Sequence, residues 1–158
     1  ARFDLIETGG GSASSTLISP AMHAEFCLPY DRRMHDALHD IGFLVTYHTC
    51  GGNLGIEEHI VANGADASET LAPPSIGGNQ EPWVFKQKSG TRLALIGGID
   101  QFNTLTLGSP EVIRNAVHRL FREVGGQGAY VCSCADHFFD ASPANLQAYA
   151  DAARECTY

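Results

Sequence analysis

The sequence predicts an α/β fold with a parallel sheet, and three observations predict it. Short apolar runs alternate with helix-length stretches about five times along 158 residues, the order that builds βα units. A serine-proline pair opens the helical stretch three times, at Ser19-Pro20, Ser109-Pro110 and Ser142-Pro143, with serine placed as N-cap and proline at the first helical position. Chemically unusual side chains gather where the strands end: Glu7, His48, Cys50, Glu69, Asp100, Cys134 and Asp136. Right-handed crossovers put all those ends on one side of a parallel sheet.

In chain order, residues 3–8 read as a short strand, followed by a flexible loop through Gly9, Gly10 and Gly11. The helix opened by Ser19 carries an apolar stripe of Met22, Phe26, Met34, Leu38 and Ile41, divided at Pro29 and stopped at Gly42. A strand over 43–47 ends in His48 and Cys50, then two glycines. Residues 53–63 read as a short helix and 65–70 as a strand. A proline-rich loop fills 71–82, and 83–88 makes one or two helical turns. The strand at 91–96 runs into Gly97-Gly98-Ile99-Asp100. The helix from Ser109 presents Val112, Ile113, Val117, Leu120, Phe121 and Val124 on one face. The last strand covers 129–134, and the final helix sets Leu146, Tyr149, Ala150 and Ala153 on one side. Five such units are too few for an eight-stranded barrel. They make either an open sheet or part of a barrel whose first strands lie elsewhere.

Composition bounds the function. With 44% hydrophobic and 18% charged residues the chain is that of one globular domain, residues 1–158. The net charge of −8 argues against nucleic acid or an anionic membrane surface as partner. No apolar run reaches the roughly 20 residues of a membrane helix, and no secretory leader is visible before the first strand. Five cysteines, an odd number without dense spacing, suit a reducing cytoplasm better than a disulfide framework. A chain without an initiator methionine fits a processed protein or a piece of a longer one.

His48 and Cys50 stand two residues apart, so in a strand they share a face. Imidazole and thiolate are zinc-type ligands. Cys132, Cys134 and Asp136 share one parity in the last strand. If that parity faces the interior, Cys134 or Asp136 supplies a third ligand and leaves an open position, as catalytic zinc requires. The alternative makes Cys50 and Cys134 small core residues and His48 a hydrogen-bonded one. Cys27 and Cys156 read as core cysteines, and His23, His35, His39, His59 and His118 as solvated or interfacial. Glu7 and Asp100 are candidates for positioning substrate or, alternatively, for capping. His137 and the phenylalanines after it either line a pocket or pack under a loop.

Several stretches together resemble the C-terminal part of the uroporphyrinogen decarboxylase superfamily, which includes corrinoid- and thiol-linked methyltransferases. They are Phe3–Glu7 through Gly10, Ile18-Ser19-Pro20 with Phe26–Tyr30, His48-Thr49-Cys50-Gly51, Gly97–Asp100, Ser109–Val112, Ala129–Val131 through His137, and Pro143–Leu146. The resemblance implies a partial TIM (β/α)8 barrel, the last five βα units with the first three strands absent. Two open sheet edges then predict a dimer or other homo-oligomer. It also implies zinc-dependent methyl transfer from a corrinoid, carried by a partner protein, to a small thiol. The metal ligands would be His48, Cys50 and either Cys134 or Asp136, with Glu7, Asp100, Asp136 and His137 as catalytic candidates. The methyltransferase branch carries a later cysteine where this chain has Asp136. Two further readings stand beside it: cofactor-free decarboxylation of a tetrapyrrole, a lyase reaction of porphyrin metabolism, and a catalytically incomplete fragment.

Overall fold

The computed structural model describes residues 3–158. Five parallel strands, β1 (Leu5–Gly9), β2 (Leu44–His48), β3 (Ala67–Thr70), β4 (Ala94–Ile99) and β5 (Tyr130–Cys134), pair in sequence order. A doubly wound sheet would reverse direction at a switch point. Uninterrupted order with a helical layer between strands is instead the winding of a (β/α) barrel, here in part. Strands β1 and β5 each have a neighbour on one side only among the described residues.

Helices α1 (Pro20–Phe26), α2 (Leu28–Asp40), α3 (Glu57–Ala62), α4 (Pro82–Ser89), α5 (Pro110–Leu120) and α6 (Pro143–Glu155) form the cover. The three serine-proline pairs start helices as expected. Ser19, Ser109 and Ser142 accept from the backbone N–H of Met22, Val112 and Asn145, each satisfying one orphan donor of a first helical turn. Pro29 accompanies the division of α1 from α2 at Cys27. The core lies between the helices and the outer face of the sheet, where Val45, Tyr47, Phe85, Leu95, Ile99, Ile113 and Val117 are fully buried.

Three features depart from the sequence reading, one of them an element it did not contain. Residues 53–56 are not helical: Gly55 takes a left-handed φ of 85°, which breaks the helical run, and the helix begins at Glu57, with the N–H groups of Asn53 and Leu54 taken by the Asn79 side chain and that of Gly55 by Glu57. A π-helical turn over Gln101–Thr106, which the sequence did not suggest, follows β4. The third correction is the largest. Met22, Phe26, Met34 and Ile41 lie exposed, and the buried residues of α1 and α2 are His23 and His35. His35 donates from Nδ1 to the Asn63 carbonyl at 2.9 Å, so in the neutral ring Nε2 accepts from Thr8 Oγ1 at 2.8 Å. The ring thereby ties α2 to β1 and to the end of α3. His23 stacks on His59, with ring centroids 5.4 Å apart, and burial holds its pKa below the usual value, with His59 adding to the effect and Asp31 opposing it. No described helix is long and apolar enough to cross a membrane. All five cysteines are free.

Candidate active site

The strand register decides which side chains share the inner face of the sheet. Residues paired across parallel strands point the same way. His48 pairs with Glu69, and Glu7 pairs with Thr46, two positions before His48. Glu7, His48 and Glu69 therefore project from three adjacent strands onto one face. His48 Nδ1 donates to Glu69 Oε1 at 2.9 Å and stands 3.9 Å from Glu7 Oε1. One ligand-type atom from each of the three lies within 4.8 Å of the others. Burial raises the pKa of Glu7, and the neighbouring Glu69 carboxylate raises it further, against the smaller opposing influence of His48 and His137.

These groups form one end of a cavity of about 390 Å³ at the C-terminal edge of the sheet. Its other side comes from β5 and the loop after it: Ser133, Cys134, Asp136, His137 and Phe138, with Tyr149 from α6. Five sequence candidates thus meet at one cavity, namely Glu7, His48, Cys134, Asp136 and His137. Asp136 Oδ1 accepts from the His137 backbone N–H at 2.7 Å, and the His137 side chain is largely exposed.

Two candidates sit elsewhere. Asp100 caps the π-helical turn: one oxygen accepts from the Phe102 and Asn103 N–H groups, the other from Ser75 Oγ and Asn103 Nδ2. Burial pulls its pKa upward, but these donors prevail and hold it below the usual carboxylate value. Its lone pairs are engaged in structure, the capping alternative. Cys50 packs its Sγ against Gly11, where even a Cβ would come within 2.6 Å of the sulfur. Strand β2 ends at His48, so the two-residue periodicity does not carry to Cys50.

The parity expected of the last strand is also corrected. Cys134 pairs with Ile99 and Cys132 with Gly97, the side that packs on the helices. Ser133, paired with Gly98, takes the inner side. Burial, with Cys132 beside it, pushes the Cys134 thiol up to about 11. The zinc set that the resemblance implies is therefore not gathered. Among the described residues, no three of His48, Cys50, Cys134 and Asp136 bring ligand atoms within 4.8 Å of one another. The residue that joins His48 instead is Glu69, which the sequence marks only as an acidic residue at a strand end. Its partnership needs the β2–β3 register, a pairing 21 residues apart.

Residues 4–156 match the family model for uroporphyrinogen decarboxylase (URO-D). This chain belongs to the uroporphyrinogen decarboxylase family. Among curated relatives it is similar to a methylated-thiol–coenzyme M methyltransferase of Methanosarcina mazei, 29% identical over 145 residues, which are 91% of this chain and 36% of the relative. Among solved structures it is similar to a methyltransferase from Methanosarcina mazei, with a TM-score of 0.77 and 21% identity over 96% of this chain and 42% of that one. The second likeness is one of fold. The chain spans little more than a third of the curated relative's length.

Proposed function

We propose that this chain forms one wall of a methyl-transfer site, where a methyl group passes from a corrinoid-type donor, borne by a partner protein, to a small thiol. The observation that carries this reading is the charge of the cavity. Glu7, Glu69 and Asp136 line it, and among the described residues no lysine or arginine does. A uroporphyrinogen, with its many carboxylates, would enter against three acidic side chains. A neutral thiol meets no such opposition. The likeness to a thiol methyltransferase over most of the chain supports the same reading.

Methylation of a thiol requires that the sulfur lose its proton, attack the methyl carbon and leave the bonding electron pair on the donor. A free thiol, with a pKa near 8.5, is mostly protonated at neutral pH, and the thiolate is the nucleophile. The residues of this chain act on that proton. Glu69 holds the proton of His48 on Nδ1, which leaves Nε2 as the nitrogen with a free lone pair. A thiol bound in the cavity delivers its proton there as the sulfur–carbon bond forms. Phe138 and Tyr149 supply apolar surface for the methyl group.

The test is transfer from methylcobalamin to a small thiol, followed in wild type and His48→Gln. Loss of positioned base catalysis predicts a rate lower by about 10²–10⁴-fold in the variant. An unchanged rate, or no transfer by the folded wild type, overturns the reading.

A further inference from the structure

We infer that a second cavity, lined by Trp83, Lys86 and Arg122, is a binding site for a small planar ring carrying one oxyanion group, a carboxylate or a phosphate. This cavity has a volume of about 370 Å³ and lies between α4 and the π-helical turn Phe121–Gly125 that continues α5. Lys86 reaches from it to the carbonyls of Gly128 and Ala129, just before β5, which places it at the N-terminal end of that strand. The candidate active site is at the opposite, C-terminal end of the sheet. The inference therefore does not rest on the methyl-transfer reading.

Charge pairing marks the site. Acids outnumber bases 18 to 10 in this chain, and Arg32, Lys88, Arg92, Arg114, Arg119 and Arg154 each pair with a carboxylate. Among the described residues Arg33, Lys86 and Arg122 do not, and the last two line this one cavity. Lys86 is only 5% exposed, and lysine is almost never that buried without an ionic partner. Its ammonium has three protons. The Gly128 carbonyl accepts one at 2.6 Å and the Ala129 carbonyl a second, longer one at 3.4 Å. Among the described residues the third has no protein acceptor. Burial lowers the Lys86 pKa, and no carboxylate opposes that effect. An anion in the cavity supplies the missing partner.

The chemistry of the lining selects the ligand. Arg122 offers a fork of N–H donors and Lys86 a point charge, a pair suited to carboxylate or phosphate oxygens. The Trp83 indole lines the same cavity, with the Arg119 guanidinium held over its ring at 5.2 Å from the centroid. A flat ring gains offset or edge contact with that indole. Gln87 and Gln127 add amide donors and acceptors for polar substituents. Glu123 also lines the cavity, with its carboxylate 3.7 Å from Arg119. One anionic group, rather than several, suits a site that already holds a carboxylate. The volume falls in the range of small-molecule sites.

Trp83 is the sole tryptophan of the chain, so its fluorescence reports on this cavity. The full chain is titrated with benzoate, phenyl phosphate, acetate, inorganic phosphate and benzyl alcohol, with calorimetry as a second measure and circular dichroism to follow folding. One benzoate or one phenyl phosphate per chain should bind, roughly tenfold or more tighter than the three simpler probes, and the tighter of the two names the anion. Lys86→Met and Arg122→Gln should each weaken that binding by roughly tenfold or more. Arg122 is exposed, so Arg122→Gln folds even if Lys86→Met does not. No saturable binding of either ring-bearing anion to folded wild type overturns the inference. So does binding that is unchanged in Arg122→Gln, or a simpler probe that binds as tightly as the ring-bearing anions.

Discussion

Replacing His35 by alanine tests where the core of the α1–α2 layer lies. The imidazole is fully buried and joins three elements through two hydrogen bonds, to Thr8 Oγ1 and to the Asn63 carbonyl. Each bond contributes about 1 kcal/mol net, and the buried carbonyl left without a partner costs about 1–3 kcal/mol more. The cavity left by the ring adds to this, as in other large-to-alanine changes that cost about 2–5 kcal/mol. Because these contributions overlap, the expected loss is about 3–5 kcal/mol. With a urea dependence of about 2 kcal/mol per molar, the unfolding midpoint should fall by roughly 2 M. Met34→Ala, one residue earlier on the same helix and 42% exposed, should cost under about 1 kcal/mol. Urea titrations followed by circular dichroism measure both. A loss below about 1 kcal/mol for His35→Ala, or an equal loss for Met34→Ala, would refute the reasoning and restore the methionine stripe as the buried face.

Three more outcomes follow from the geometry. His23 has a folded-state pKa below its ordinary 6.5, so its contribution to stability is complete above about pH 6.5 and is lost as pH falls through the folded value. Urea melts at pH 7.5 and pH 5 should show that loss in wild type and less of it in His23→Phe; equal losses would contradict the assignment. Cys134, with its thiol near 11, is about one part in a thousand thiolate at pH 8. Mass spectrometry after iodoacetamide should find it alkylated far more slowly than in urea, and similar rates would contradict its environment. Gly11→Ala forces a Cβ to within 2.6 Å of Cys50 Sγ and should destabilise the chain by about 1–3 kcal/mol. Adding Cys50→Ala should restore most of that loss, and failure to do so would place the sulfur elsewhere.

The strands and helix starts were legible because their signals are local. An apolar run announces a strand, and serine before proline announces a helix, within a window of a few residues. What failed depends on distant partners. His23 and His35 carry no hydrophobic signal, and the partners of His35 lie 27 and 28 residues away. The inward face of β5 could not be read from Val131-Cys132-Ser133-Cys134, since small and apolar residues occupy both parities. Only pairing with Gly98 and Ile99 settles it. His48 and Glu7 were legible as unusual residues at strand ends, but their union with Glu69 is a matter of register. The shared face of His48 and Cys50 could not be read from their spacing, because the strand stops two residues before Cys50.

The most direct test of the proposed function offers the purified protein two alternatives in parallel. One is methylcobalamin with a small thiol, read as thioether formed. The other is uroporphyrinogen, read as carbon dioxide released. An acid-lined cavity with His48 held by Glu69 predicts thioether formation that His48→Gln abolishes, and no carbon dioxide. Release of carbon dioxide from uroporphyrinogen without thiol methylation would contradict it.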